Sequence, residues 1–156
     1  MDVIDAQWRN PARQARAPAY ASEAQPLVLV AEETAVLTPM VDELCGFLRV
    51  RALQVAPAGL AVALRAHGPV GVLCHAERTG PTLAAALRAV VAVDPGLPVM
   101  VVTEQDASRQ ARLAVAAEIL RLDHLVWLEQ LPDLRRMVDF LFLAERRAGR
   151  ERALPA

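Results

Sequence analysis

The sequence predicts an α/β domain built around one parallel β-sheet that carries helices on both faces. Short runs rich in Val and Leu alternate with longer Ala/Leu/Arg segments whose apolar residues recur at helical spacing, which is typical of βα units. The short runs are almost continuously apolar, as strands buried on both faces are. The chain has 156 residues, 54% hydrophobic and 22% charged, and is therefore long enough to bury one core.

Five strands and five helices are predicted in strict alternation. The strands are predicted at Leu27–Val30, Val50–Ala56, Val70–Cys74, Val99–Thr103 and His124–Leu128. The helices are predicted over residues 34–48, 58–66, 81–93, 107–120 and 132–147. Thr34 is a candidate N-cap, Gly68 can end the second helix, and Pro81 suits the first turn of the third. This alternation predicts a three-layer flavodoxin-like (βα)5 fold with sheet order 2-1-3-4-5.

The two ends of the chain differ in composition from this pattern. Residues 1–26 are rich in Ala, Arg, Pro and Gln and have no sustained periodicity, so we predict a mobile N-terminal tail. The folded domain is predicted over residues 27–148. Residues 149–156 are predicted to form a polar C-terminal end.

Charge and composition exclude several classes of function. All 17 basic residues are arginine and 18 residues are acidic, so the net charge of -1 offers no basic field for a nucleic acid. The sequence has neither a signal-peptide pattern nor an apolar run near the roughly 18 residues of a membrane span. Its two cysteines lack metal-ligand spacing, and no phosphate-binding glycine loop occurs. We therefore expect a cytoplasmic protein without metal, cofactor, nucleic acid or membrane partner.

In a sheet of this order, the loops after strands 1, 3, 4 and 5 converge at one edge, where a ligand or reaction centre would lie. The segments that reach this edge are LVLVAEE (residues 27–33), VGVLC (70–74), PVMVVTEQD (98–106) and HLVWLEQ (124–130). In their order and spacing, these segments resemble the receiver domain of bacterial two-component response regulators over roughly residues 26–147.

The resemblance implies a role for each position at the edge. In that family the first strand ends in an acidic pair that holds Mg²⁺, the third in the aspartate that accepts a phosphoryl group, the fourth in Thr or Ser, and the fifth in Lys. These positions correspond here to Ala31 and Glu32, Cys74, Thr103, and Leu128. Shifting the third strand by one residue would instead place His75 at the phosphoacceptor position.

The substitutions remove the chemistry that the family performs. Transfer of a phosphoryl group to a carboxylate needs an oxygen nucleophile, carboxylate ligands for a hard cation, and a fixed positive charge. Cys74 supplies sulfur, Ala31 supplies no ligand, and the sequence contains no lysine. The resemblance therefore predicts a degenerate pseudo-receiver without catalytic activity, which works as a phosphorylation-independent signalling adaptor.

The last predicted helix is apolar on more than one face, which indicates contact with another chain. A stripe through Leu134, Met137, Val138, Leu141 and Ala144 can face the sheet, and Phe140 and Leu143 lie outside that stripe. The predicted interaction surface consists of Trp127, Arg136, Phe140, Leu143 and Arg147. We expect a homodimer through this helix and a protein partner such as a sensor kinase, regulator or localisation factor, although the N-terminal tail could cover the surface instead.

Two other functions remain open at this stage. One is a small flavodoxin-like enzyme that uses Cys74 as a nucleophile, with His75 next to it. Adjacent strand residues point to opposite faces, however, so the two side chains would need a bend in the strand to meet. The other is a ligand sensor that uses the pocket around Cys74.

Overall fold

A computed structural model describes residues 26–76, 81–103 and 109–153. Its five strands are β1 (Leu27–Ala31), β2 (Arg51–Val55), β3 (Gly71–Ala76), β4 (Val99–Thr103) and β5 (Leu125–Leu128). All neighbouring strands are parallel, in the order β2-β1-β3-β4-β5. This confirms the predicted flavodoxin-like architecture. The predicted N-terminal tail lies outside the described residues, apart from Pro26.

Five helices alternate with the strands. They are α1 (Leu37–Leu44), α2 (Leu60–His67), α3 (Pro81–Val93), α4 (Arg109–Ile119) and α5 (Leu134–Ala153). Gly68 ends α2 with a φ of 54°, in the left-handed region that favours glycine, as the sequence predicts. No helix in the described ranges is long and apolar enough to cross a membrane.

Three helix boundaries differ from the predictions by three residues or more, and one of them is the end of α1, at Leu44 rather than residue 48. Helix α1 begins at Leu37 rather than Thr34, so the prediction that Thr34 is its N-cap is wrong. Helix α5 continues to Ala153, six residues beyond the predicted end at residue 147. The added stretch is rich in Arg, Ala and Glu, which are strong helix formers, and the single Gly149 within it does not end the helix.

The sheet separates two hydrophobic clusters. On one face, Leu29, Ala31, Val72 and Cys74 pack with residues of α2, α3 and α4. On the other face, alternate strand residues such as Leu73 pack with residues of α1 and α5. Because side chains alternate along a strand, residues 74 and 75 belong to opposite faces. The prediction that Cys74 and His75 point apart therefore agrees with the observed packing.

Helix α5 contacts the sheet through most of the predicted stripe, but with Phe140 in the place of Leu134. Met137, Phe140, Leu141 and Ala144 are buried, whereas Leu134 is 63% exposed. The prediction that Phe140 lies on the outer surface is wrong, as is the placement of Leu134 against the sheet.

The packing of β3 explains why Phe140, and not Leu134, faces the sheet. A Cβ added to Gly71 would lie 3.2 Å from the Cβ of Ala144 and 3.6 Å from the Cζ of Phe140. The bare backbone of Gly71 therefore allows the helix to approach β3 closely, and the Phe140 ring lies over that glycine. A side chain at residue 71 would push the helix away from the sheet.

Candidate functional site

The carboxyl edge of the sheet brings together the five positions that the sequence singles out. Ala31 faces Cys74 in the β1–β3 register, and Thr103 faces Ala76 in the β3–β4 register. Ala31, Glu32, Cys74 and Thr103 are buried, and Leu128 packs partly buried at the end of β5. The structure thus brings these residues to one edge of the sheet, but their side chains make different contacts.

The carboxylate of Glu32 caps helix α1 from outside the helix. Its Oε1 accepts hydrogen bonds from the backbone N–H groups of Val36 (2.9 Å) and Leu37 (2.8 Å). Its Oε2 accepts from the backbone N–H of Thr38 (2.8 Å) and from the Thr38 hydroxyl (2.7 Å). A helix leaves its first N–H groups without partners inside the helix, and a negative charge at that end also interacts favourably with the helix dipole. Glu32 supplies both the acceptor and the charge.

This capping role decides what Glu32 can offer to a ligand. The residue is 1% exposed, and each carboxylate oxygen accepts two hydrogen bonds. A Mg²⁺ ion would need those oxygens as ligands at about 2.0–2.1 Å. The carboxylate of Glu32 is therefore buried, and both of its oxygens are hydrogen-bonded to the start of α1. Within the described ranges, no group of three or more His, Cys, Asp or Glu side chains could hold a metal ion.

His75 lies on the same side of the sheet as Glu32. Its Nδ1 is 3.9 Å from the Oε1 of Glu32, which is too long for a hydrogen bond but close enough for an electrostatic contact. The imidazole is also mostly buried. His75 therefore lies beside the α1 cap and does not pair with Cys74.

Cys74 has the properties of a structural thiol. It is 2% exposed, and burial raises its pKa to about 12. The thiolate is the nucleophilic form of cysteine, and reactive cysteines lie in environments that lower the pKa instead. Almost all of this thiol is protonated at neutral pH, which argues against an enzyme that uses Cys74.

A pocket of about 360 Å³, which we call the edge pocket, opens beside Cys74 at the carboxyl edge of the sheet. It lies between the β1–α1 loop, the turn after β2 and the first turns of α3. Its described lining consists of Ala31, Glu33, Thr34, Val36, Pro57, Cys74, His75, Ala76, Thr82, Leu83 and Ala86. Thr103 and Leu128 are not part of this lining.

A second concavity, which we call the α5 groove, lies between α5 and the edge strand β5. It measures about 570 Å³ and is lined by Val126, Asp133, Arg135, Arg136, Asp139, Phe140, Leu143 and Arg146. It unites three of the five predicted interaction residues: Arg136 and Leu143 at its wall, and the buried Phe140 at its floor. The sequence reasoning missed Val126, Asp133, Arg135 and Arg146. Their combination could be found only once α5 was placed beside β5.

The other two predicted interaction residues lie elsewhere. Trp127 is partly buried against the cluster on the α2–α4 face, opposite α5. Arg147 forms a 2.6 Å ion pair with Asp94, in the loop before β4, and that carboxylate also accepts the N–H of Gly96 at 3.0 Å. Arg147 therefore attaches the far part of α5 to the opposite end of the sheet. Its place in an interaction surface stays a prediction.

Comparison with known proteins identifies the fold. No family model matches the sequence, and no curated protein matches it either. Among solved structures, the beryllofluoride-activated NtrC receiver domain matches with a TM-score of 0.56 and 15% identity over 79% of this chain and 96% of that chain. A CheY-like response regulator from Mesorhizobium loti matches with a TM-score of 0.56 and 11% identity over 77% of this chain and 98% of that chain.

A third structure, a protein from Burkholderia pseudomallei described as pilus assembly-related, matches with a TM-score of 0.54 and 20% identity. It covers 79% of this chain and 91% of its own. Together these likenesses place the chain among proteins with the CheY-like, flavodoxin-type fold of response-regulator receiver domains. At such identities the likeness concerns the fold, and function has to be argued from the site.

Proposed function

We propose that this protein is a phosphorylation-independent, receiver-like signalling adaptor that acts through contacts with other proteins and is not an enzyme. Its partner would be a sensor kinase, a regulator or a localisation factor, met in the cytoplasm. Both of its cysteines are free, which suits a reducing compartment.

The observation that carries the proposal is the capped state of Glu32. This residue stands nearest to the metal-binding position of a receiver, yet both of its oxygens hold the start of α1. Around it, Ala31 has no ligand atom, Cys74 offers a buried thiol whose pKa is raised to about 12, and no lysine exists in the chain. Phosphoryl transfer depends on metal, nucleophile and cation acting as a unit. The loss of all three favours a role in which the protein signals through contacts between its surface and other proteins.

The α5 groove supports a homodimer as the form in which the adaptor acts. Val126, Phe140 and Leu143 give it an apolar floor, and its remaining lining residues are three arginines and two aspartates. In a two-fold dimer the same patch faces itself, so the arginines of one copy can pair with the aspartates of the other. This self-complementary charge pattern makes a second copy of the chain the proposed occupant.

We expect no phosphorylation when the purified chain is incubated with acetyl phosphate and Mg²⁺. The measurement is the intact mass, with a receiver domain that carries a phosphoacceptor aspartate treated in parallel as a positive control. The control should gain one phosphoryl group, and this chain should keep its mass. An added phosphoryl group that hydroxylamine removes would be an acyl phosphate and would overturn the proposal.

We expect Leu143→Glu to weaken the dimer by more than about tenfold, because a carboxylate would be buried in the apolar part of the groove. Sedimentation of the parent chain and of the variant measures this change. Val62→Glu is a matched control, since Val62 is 70% exposed on α2, on the other face of the sheet. A monomeric parent chain, or equal weakening by both substitutions, would contradict the homodimer.

A further inference from the structure

The edge pocket owes its space to two small neighbours. Ala31 and Cys74 are adjacent across the β1–β3 register, and both belong to the cluster on the α2–α4 face. Leu83 and Ala86 of α3, which are also buried, complete the apolar inner part of the pocket. The volume of about 360 Å³ falls within the range of about 300–1,000 Å³ that is usual for small-molecule sites.

The mouth of the pocket is polar, in contrast to its inner part. Glu33 and Thr34 reach it from the β1–α1 loop, and Thr82 reaches it from the first turn of α3; all three are exposed. An apolar interior with a few polar groups at the mouth suits a ligand that has an apolar body and one polar head.

The charged residue at the mouth of the pocket indicates which polar group a ligand would carry. Among the described lining residues, Glu33 is the one with a carboxylate, His75 is the one with an imidazole, and none is an arginine; residues 77–80, which follow Ala76, lie outside the described residues. Glu32 next to it is directed into α1 and does not line the pocket. A protonated amine is attracted to the carboxylate of Glu33, and an anionic head is repelled by it.

We propose that the edge pocket is a binding site for a small amphipathic amine, whose apolar body lies against Ala31, Cys74 and Ala86 and whose ammonium group pairs with Glu33. This inference does not depend on the adaptor proposal, because it concerns the edge of the sheet and not the α5 groove. It gives the protein a site at the carboxyl edge of the sheet whose occupancy by a ligand can act as an input signal.

The test is an NMR titration of the ¹⁵N-labelled full chain with benzylamine, and with benzyl alcohol and benzoate as probes of matched shape. We expect saturable shifts of the amide signals of Ala31, Cys74 and Thr82, with benzylamine binding in the millimolar range that a ligand of this size reaches. Benzylamine should bind roughly three- to fivefold more tightly than benzyl alcohol, as an exposed ion pair allows. Benzoate should bind most weakly.

Two variants locate the interaction. Glu33→Gln should abolish the preference for the amine over the alcohol, whereas Glu43→Gln, which changes an exposed carboxylate on α1 outside the pocket, should preserve it. Thr82→Trp should block the mouth and abolish binding of all three probes. Absence of saturable shifts in the parent chain, or binding of benzoate as tight as that of benzylamine, would overturn the proposal whether or not the Trp variant folds.

Discussion

Glu32→Ala is expected to lower the free energy of unfolding by about 3 kcal/mol, a large effect for one residue in the loop after β1. The substitution removes the acceptors of three backbone N–H groups and of one hydroxyl. The N–H of Leu37 is buried, so water cannot replace the lost carboxylate there without opening the loop. Urea denaturation at constant slope measures the change.

Two neighbouring substitutions separate the cap from a general charge effect. Glu33→Ala removes an exposed carboxylate one residue away and should change the stability by less than about 0.5 kcal/mol. Glu32→Gln keeps one carbonyl oxygen but turns an NH₂ group towards N–H donors, so it should cost nearly as much as alanine. If Glu32→Ala were as mild as Glu33→Ala, the carboxylate would be free to act elsewhere, and the main support for the adaptor proposal would be lost.

The fold could be predicted from the sequence because its signals are local. Each buried strand is a short apolar run, and several element boundaries carry a residue with a defined backbone preference, such as Gly68 or Pro81. In a chain of this length, strict alternation of strands and helices leaves few arrangements other than a doubly wound parallel sheet. The observed order β2-β1-β3-β4-β5 is the one expected for the flavodoxin-like fold that this alternation predicts.

The role of Glu32 could not be predicted in the same way. Ordinary N-cap signals place the capping side chain at the residue just before the helix, and this suggested Thr34. In the structure the cap comes from a residue five positions before Leu37, which reaches the helix only because the intervening loop folds back over it. The same carboxylate could have faced a metal or the helix. The choice between them depends on the path of the loop and not on residue types.

The orientation of α5 depends on a contact between residues far apart in the chain. Successive helical residues are about 100° apart, so a face that contains Leu141 and Ala144 can include either Leu134 or Phe140. Gly71 decides between them, because its lack of a side chain lets Phe140 and Ala144 lie on β3. A single sequence contains both the glycine and the stripes but does not indicate that they meet.

Phe140→Ala is expected to lower the free energy of unfolding by about 3–5 kcal/mol, because it opens a cavity between α5 and the sheet. The ring is 3% exposed and packs with Met100, Met137 and Leu141 in the same cluster as α1. The backbone of Gly71 below it has no side chain that could move in and fill the space. The loss is measured by urea denaturation, as for Glu32.

Phe142→Ala provides a control of the same chemistry in the same helix. Phe142 is 45% exposed, so Phe142→Ala should lower the free energy of unfolding by less than about 1 kcal/mol. Both variants replace one phenylalanine by alanine in the same helix, so the change in helix propensity is the same in each. A large difference between the two variants fixes which face of α5 lies on the sheet, and therefore which face remains for a partner. Equal costs would mean that α5 is rotated from the position described here, and the α5 groove, which has Phe140 at its floor, would lose its structural basis.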